Sequence, residues 1–291
     1  MKISVSSYSF QQYISAGKLT QLETVAKAHE LGFEAIEFID LEPCEKPTLE
    51  QQIEYAKAIR AEADKYGMDI NAYTIGATMY HDDPADSAKE IERLKGQLLV
   101  AKELGAKVMR HDVCYKLGKT GNSRSFDLML PTIAANIREL TAYAETLGIK
   151  TCTENHGYIA QDSDRMERLF NAVNHDNFGL LVDMGNFACV DENSQTAVSR
   201  VAPYAIHAHA KDMHLKSAAF TKPDGWGTTR GGNYFKGAVI GEGDIPVKQC
   251  LKVLKRAEYD GYLSIEYEGA VDCIKGITKG LANLKQMLSE I

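Results

Sequence analysis

Leu104-Gly105-Ala106-Lys107-Val108-Met109-Arg110-His111 joins the end of a helical stretch to a short, largely apolar run through a single glycine. The residues before it, 88–104, place Ile91, Leu94, Leu98 and Ala101 on one helical face, with Lys89, Glu90 and Arg93 elsewhere. Glycine tolerates the left-handed conformation that closes a helix, and an apolar run directly after it suits a strand buried on both faces. The same join recurs at Leu31-Gly32-Phe33, Tyr66-Gly67-Met68, Leu147-Gly148-Ile149 and Asp260-Gly261-Tyr262. Further strands fit at 2–8, 178–183 and 205–211, which brings the total to eight βα units. No Pro-, Ser- or Gly-rich linker divides the chain. The pattern predicts a single (β/α)8 TIM barrel domain over residues 1–291, with a doubly wound parallel sheet as the structural alternative.

The length of 291 residues accommodates such a barrel, which typically needs roughly 250. Lys and Arg number 33 against 40 Asp and Glu, a net charge of −7 that argues against nucleic-acid and anionic-membrane partners. The six cysteines are scattered, with no C-x-x-C pair, as in reduced proteins lacking a disulfide framework or zinc knuckle. The N-terminus has no continuous apolar signal region, and no apolar run approaches the roughly 20 residues that span a bilayer. A cytoplasmic location is expected.

Chemistry in a barrel of this kind collects at the C-terminal ends of the strands, where residues of one parity share a face. The fifth strand ends Thr153-Glu154-Asn155-His156, and the sixth Val182-Asp183-Met184-Gly185-Asn186. The seventh reads Ile206-His207-Ala208-His209-Ala210-Lys211-Asp212, and the eighth Ser264-Ile265-Glu266-Tyr267-Glu268. Four successive strands therefore deliver a carboxylate or an imidazole to one end. A buried acid costs several kcal/mol unless it is paired or bound to metal, so the set calls for a cation. Three carboxylates and an imidazole suit a hard-to-borderline divalent ion, Mn²⁺ first, with Mg²⁺, Co²⁺ or Zn²⁺ as alternatives. Taken one by one, Asp183 could cap the next helix, His207 could be a core histidine, and Glu268 could be exposed.

These motifs, with Gly241-Glu242-Gly243-Asp244 and the N-terminal Ser4-Val5-Ser6-Ser7-Tyr8-Ser9-Phe10, resemble the sugar isomerase/epimerase superfamily of xylose isomerase-like barrels. That superfamily includes tagatose/psicose epimerases, hydroxypyruvate isomerase, inosose dehydratase and endonuclease IV. The resemblance implies metal ligands at Glu154, Asp183, His209 and Glu266, with the two glutamates also moving protons at the sugar carbon. It implies a metal-dependent isomerase or epimerase of a small keto- or aldo-sugar, passing through an enediolate. Two departures stand out. Asn186 occupies the place of a histidine usual in the epimerases, and the same residue, with the −7 charge, counts against an endonuclease.

His156 shares a face with Glu154 and is assigned either acid/base work or the orienting of a ligand. Glu37 and His111 are expected to face the same cavity, and Asn186, His207 and Lys211 to contact substrate. The long segment 213–246 holds the lone tryptophan, Trp226, near Arg230, and is read as a sugar-contacting lid or a subunit interface in a dimer or tetramer. The loop 115–124 contains Gly-Lys-Thr but lacks P-loop spacing, which removes nucleotide binding. Its Lys116, Lys119 and Arg124 leave both phosphorylated and neutral sugars open. Three other outcomes stay open: a dehydratase or lyase using the same site, a non-catalytic sugar-binding barrel and, weakly, an abasic-site endonuclease.

Overall fold

A computed structural model describes residues 1–291. Seven parallel strands come first: β1 (Lys2–Ser6), β2 (Ala35–Ile39), β3 (Asp69–Ile75), β4 (Val108–His111), β5 (Lys150–Glu154), β6 (Phe178–Asp183) and β7 (Ala205–Ala210). An insertion of β8 (Asp212–Lys216), β9 (Gly227–Thr228) and β10 (Tyr234–Ala238) follows, and then β11 (Tyr262–Ile265). Strands β1 to β7 pair in sequence order, and β11 closes the ring between β7 and β1, all in parallel. This is the (β/α)8 barrel, and the doubly wound alternative falls away.

Helices flank the barrel, among them Leu49–Tyr66, Pro84–Leu104, Phe126–Thr146 and Cys273–Ser289. The helix Pro84–Leu104 buries Ile91, Leu94, Leu98 and Ala101 against the sheet, as its periodicity predicts. It starts at Asp83, whose side chain accepts the Ala85 N–H, and ends at Gly105 with φ 79°. Gly32, Gly67 and Gly148 also have positive φ, but Gly261 does not. There the left-handed turn falls on Glu258, with φ 60°. Gly261 serves close packing instead, since a Cβ would lie 2.5 Å from the Tyr259 hydroxyl.

The segment 213–246 carries a sheet of its own. Strands β8, β10 and β9 form an antiparallel three-stranded sheet, with Asp212 anchoring its return by accepting backbone N–H groups from Gly241, Gly243 and Ile245. Inside the barrel the lower layer is small and polar. Ser4 and Ser264 hydroxyls meet at 2.6 Å, and Asn71 donates to Ser264 at 3.3 Å. These bonds offset part of the cost of burying the hydroxyls and the Asn71 amide, whose oxygen stays unpaired. No helix is long and apolar enough to cross a membrane.

Candidate metal centre and cavity

Glu154 ends β5, Asp183 ends β6, His209 lies near the end of β7, and Glu266 follows β11. One potential donor atom from each lies within 4.8 Å of the others. His209 Nδ1 stands 3.5 Å from Glu154 Oε1, 3.6 Å from Asp183 Oδ2 and 3.6 Å from Glu266 Oε2. Asp183 serves two purposes. Its Oδ1 accepts the Gly185 and Asn186 N–H groups at 2.7 and 2.8 Å, which is the capping role, while Oδ2 is aimed at the other donors.

Asp183 Oδ2, His209 Nδ1 and Glu266 Oε2 are buried without a well-directed hydrogen bond. Lys211 Nζ touches Glu266 Oε2 and lies 3.3 Å from Asp183 Oδ2, ion pairs that offset part of their charge. Buried polar atoms left in this way are costly, and three of them facing one point fit a divalent cation. Three carboxylate ligands and one imidazole suit Mg²⁺, Mn²⁺ or Zn²⁺ chemistry.

Beneath the donors lies a second layer. Glu37, fully buried, sits 2.6 Å from His207 Nε2 and 2.9 Å from His209 Nε2. Burial alone would raise the Glu37 pKa, but the two imidazoles bring it well below the usual carboxylate range. Burial likewise works against protonating His209, yet Glu37, Glu266 and Glu154 hold its pKa well above the imidazole range. Burial raises Glu266 while Lys211 and His209 lower it, and the cations prevail, leaving it at about 2.

Above the donors opens a cavity of about 270 Å³. Glu154, Glu266, His209, Lys211 and His156 line it, joined by Tyr8, Asp40, Arg110, Asp112, Tyr115 and Glu268. Arg110 Nη2 binds Glu154 Oε2 at 2.5 Å and Asp112 Oδ1 at 2.8 Å. Asp112 also accepts from the Tyr115 hydroxyl and holds His156 Nδ1 at 2.9 Å. The His156 ring is 41% exposed at the mouth. Burial there acts to lower its pKa, but the Asp112 carboxylate outweighs it and the pKa is raised.

Several expected substrate contacts lie elsewhere. His111 does not face the cavity: it pairs in register with Thr153, on the opposite face from Glu154, and its ring stacks on Phe178. Its neighbour Arg110 pairs with Cys152 and so takes the inward face. Glu37 and His207 lie a layer below the cavity, bonded to each other. Asn186 is buried between Glu154 and Lys211, donating to the first at 2.9 Å and accepting from the second at 3.1 Å. Arg230 ties its loop to Asp162 at 2.8 Å, and neither it nor Trp226 lines the cavity. Lys211 and His156 do line it, as expected.

Arg110, Asp112, Tyr115, Asp40 and Tyr8 were missed. An arginine within a buried strand was the available signal, since a buried guanidinium requires carboxylate partners.

The xylose isomerase-like TIM barrel model matches residues 25–287. The inosose dehydratase of Clostridium perfringens (strain 13 / Type A) is 28% identical over 138 residues, covering 47% of this chain and 46% of that protein. The chain thus spans about half the length of the curated relatives it matches. D-psicose 3-epimerase from Clostridium cellulolyticum H10, solved with D-tagatose, superposes with a TM-score of 0.74 at 16% identity, covering 99% of each chain. The IOLI protein, solved with a zinc atom, gives 0.73 at 17% identity, covering 100% of this chain and 99% of that one. At such identities these two structures speak for the fold. With the family model running along nearly the whole barrel, the chain belongs to the xylose isomerase-like TIM barrel family.

Proposed function

We propose that the protein is a divalent-metal-dependent isomerase or epimerase of small keto- or aldo-sugars, with Mn²⁺ as the first choice of ion. The observation that carries this reading is the convergence of four buried donor atoms, one each from Glu154, Asp183, His209 and Glu266 and all within 4.8 Å of one another, at the floor of a cavity of about 270 Å³. A divalent ion held by Glu154, Asp183, His209 and Glu266 supplies Lewis acidity toward the sugar's carbonyl and hydroxyl oxygens.

Glu154 comes from β5 and Glu266 from the end of β11, three strands away around the ring. They approach a bound sugar from different sides. Arg110 keeps Glu154 ionised and Lys211 keeps Glu266 ionised, so either can accept the proton beside the carbonyl. The glutamate that has taken the proton returns it to the enediolate, while Lys211, whose carboxylate neighbours hold its pKa well above the usual ammonium range, stays charged and fixes Glu266 in place. The His156 imidazole, fixed by Asp112, faces the outer sugar hydroxyls.

Incubation of the metal-loaded protein with a sugar panel in deuterium oxide, read by NMR after chelation of the metal, tests this reading. Deuterium should enter one sugar carbon, and exchange should collapse in Glu154→Gln and Glu266→Gln. Full exchange in both variants contradicts the two-glutamate mechanism. A second reading, elimination of water after the same deprotonation, is favoured by the matches to proteins named inosose dehydratase and by the His156–Asp112 pair at the mouth, placed to protonate a departing hydroxyl. A product lighter than the substrate by one water would establish it.

A further inference from the structure

We infer that the two glutamates of the donor set divide the work, Glu266 taking and returning the proton while Glu154 serves as a fixed ligand. The protein is then a one-base isomerase, which moves a carbonyl between neighbouring carbons of its sugar and inverts no centre. This rests on the proposed sugar chemistry and narrows it to isomerisation.

Hydrogen bonding separates the two carboxylates. Both Glu154 oxygens are occupied: Oε1 accepts from Asn186 Nδ2 at 2.9 Å, and Oε2 binds Arg110 Nη2 at 2.5 Å. The Asn186 amide cannot turn round, because its Oδ1 accepts from Lys211 Nζ at 3.1 Å and an ammonium only donates. Its main chain is held as well. The N–H donates to Asp183 Oδ1 at 2.8 Å, and the carbonyl accepts from Gln161 Nε2 at 2.6 Å. Glu154 Oε1 is also the oxygen that faces His209 Nδ1, at 3.5 Å. Ligation therefore falls to the oxygen already bonded to Asn186, and the other is taken by the guanidinium.

Glu266 differs. Its Oε2 carries both the contact with Lys211 and the 3.6 Å approach to His209 Nδ1, whereas Oε1 takes no hydrogen bond from the protein. The side chain lines the cavity and is 12% exposed, against 3% for Glu154. Since Oε2 is the oxygen turned to the other donors, Oε1 is left to the substrate.

Glu266 Oε1 takes the proton from the carbon beside the carbonyl. The C–H electron pair becomes the C=C bond of the enediolate, and the carbonyl π pair moves onto its oxygen. The hydroxyl proton passes to that neighbouring oxyanion, and the former carbonyl carbon takes the proton back from Glu266 as the new C=O bond forms. No other reactant is consumed. A lone base reaches one face of the planar enediolate, so the proton returns on the face it left. Inversion at a carbon needs a second acid across that plane, and Glu154 has no oxygen to offer.

The test incubates the full-length, Mn²⁺-loaded protein with unlabelled aldoses and ketoses in deuterium oxide and reads the products by NMR. Aldose–ketose isomers should form with less than one deuterium per turnover, because the buried glutamate returns part of the protium it removed. An epimer, any other product, or a full deuterium per turnover overturns this inference and leaves the metal-assisted deprotonation standing. No exchange and no product with any sugar overturns the proposed function, and this inference with it. Glu266→Gln, with Mn²⁺ occupancy confirmed by calorimetry, should lose exchange by at least about 100-fold. Retained exchange at full occupancy excludes Glu266 as the base.

Discussion

The two halves of the barrel contribute differently to the site. The barrel strands β5, β6, β7 and β11 each deliver one donor: Glu154, Asp183, His209 and Glu266. The half from β1 to β4 supplies no donor to that set. It supplies Glu37 beneath it, and Arg110, Asp112, Asp40 and Tyr8 around the cavity. The first half nevertheless governs the second through a few long-range contacts, since Arg110 reaches Glu154 and Glu37 reaches both His207 and His209. Strand ends place the donors, while the facing half sets their charge and orientation.

Cutting the upper of these links should have the largest effect. Arg110→Met leaves Glu154 and Asp112 buried without their shared cation, and breaking a buried pair from one side costs about 3–5 kcal/mol. Denaturant unfolding of the metal-free protein should show that loss. A cost below about 1 kcal/mol would make the halves electrostatically independent.

The lower link should matter less for stability and more for metal. Glu37 faces His209 Nε2, which leaves Nδ1 toward the other donors, as carboxylates behind ligand histidines do. Glu37→Gln should weaken divalent-metal binding by about 10–100-fold with the far-UV circular dichroism unchanged. Undiminished affinity by calorimetry would show that the second half orients its own ligands.

The smallest effect belongs to the rim. The His156 pKa is raised by Asp112, so the stability this pair provides is fully present below the unfolded pKa of about 6.5. It is lost as pH rises through the folded value. The stability difference between the native protein and His156→Gln should therefore be larger at acidic than at alkaline pH. The opposite trend, measured by thermal unfolding, would separate His156 from Asp112.

The same division separates what the sequence revealed from what it concealed. The barrel was legible because Gly105 and its counterparts mark helix ends immediately before buried strands, and because Phe178–Asp183 is apolar until its last residue. The donor half was legible because an acid or imidazole recurs at successive strand ends. The other half was not, because a four-residue strand does not announce which face is inward. His111 and Arg110 are neighbours in β4, and only the register with Cys152 and Thr153 decides between them. Asp40 and Asp112 lie just past strand ends, where an acid reads equally well as a solvated loop residue. The sheet formed by β8, β10 and β9 is not legible in the sequence, because its strands are short and separated by glycine-rich stretches.

Titration of the metal-free protein with Mn²⁺, followed by calorimetry in parallel with Asp183→Asn, tests the central claim most directly. One ion should bind per chain, and the substitution should weaken binding by at least about 100-fold, because it removes the charge of a buried carboxylate whose Oδ2 faces the other donors. Absence of binding to the native protein, or equal affinity in the variant, would contradict a metal centre built from Glu154, Asp183, His209 and Glu266.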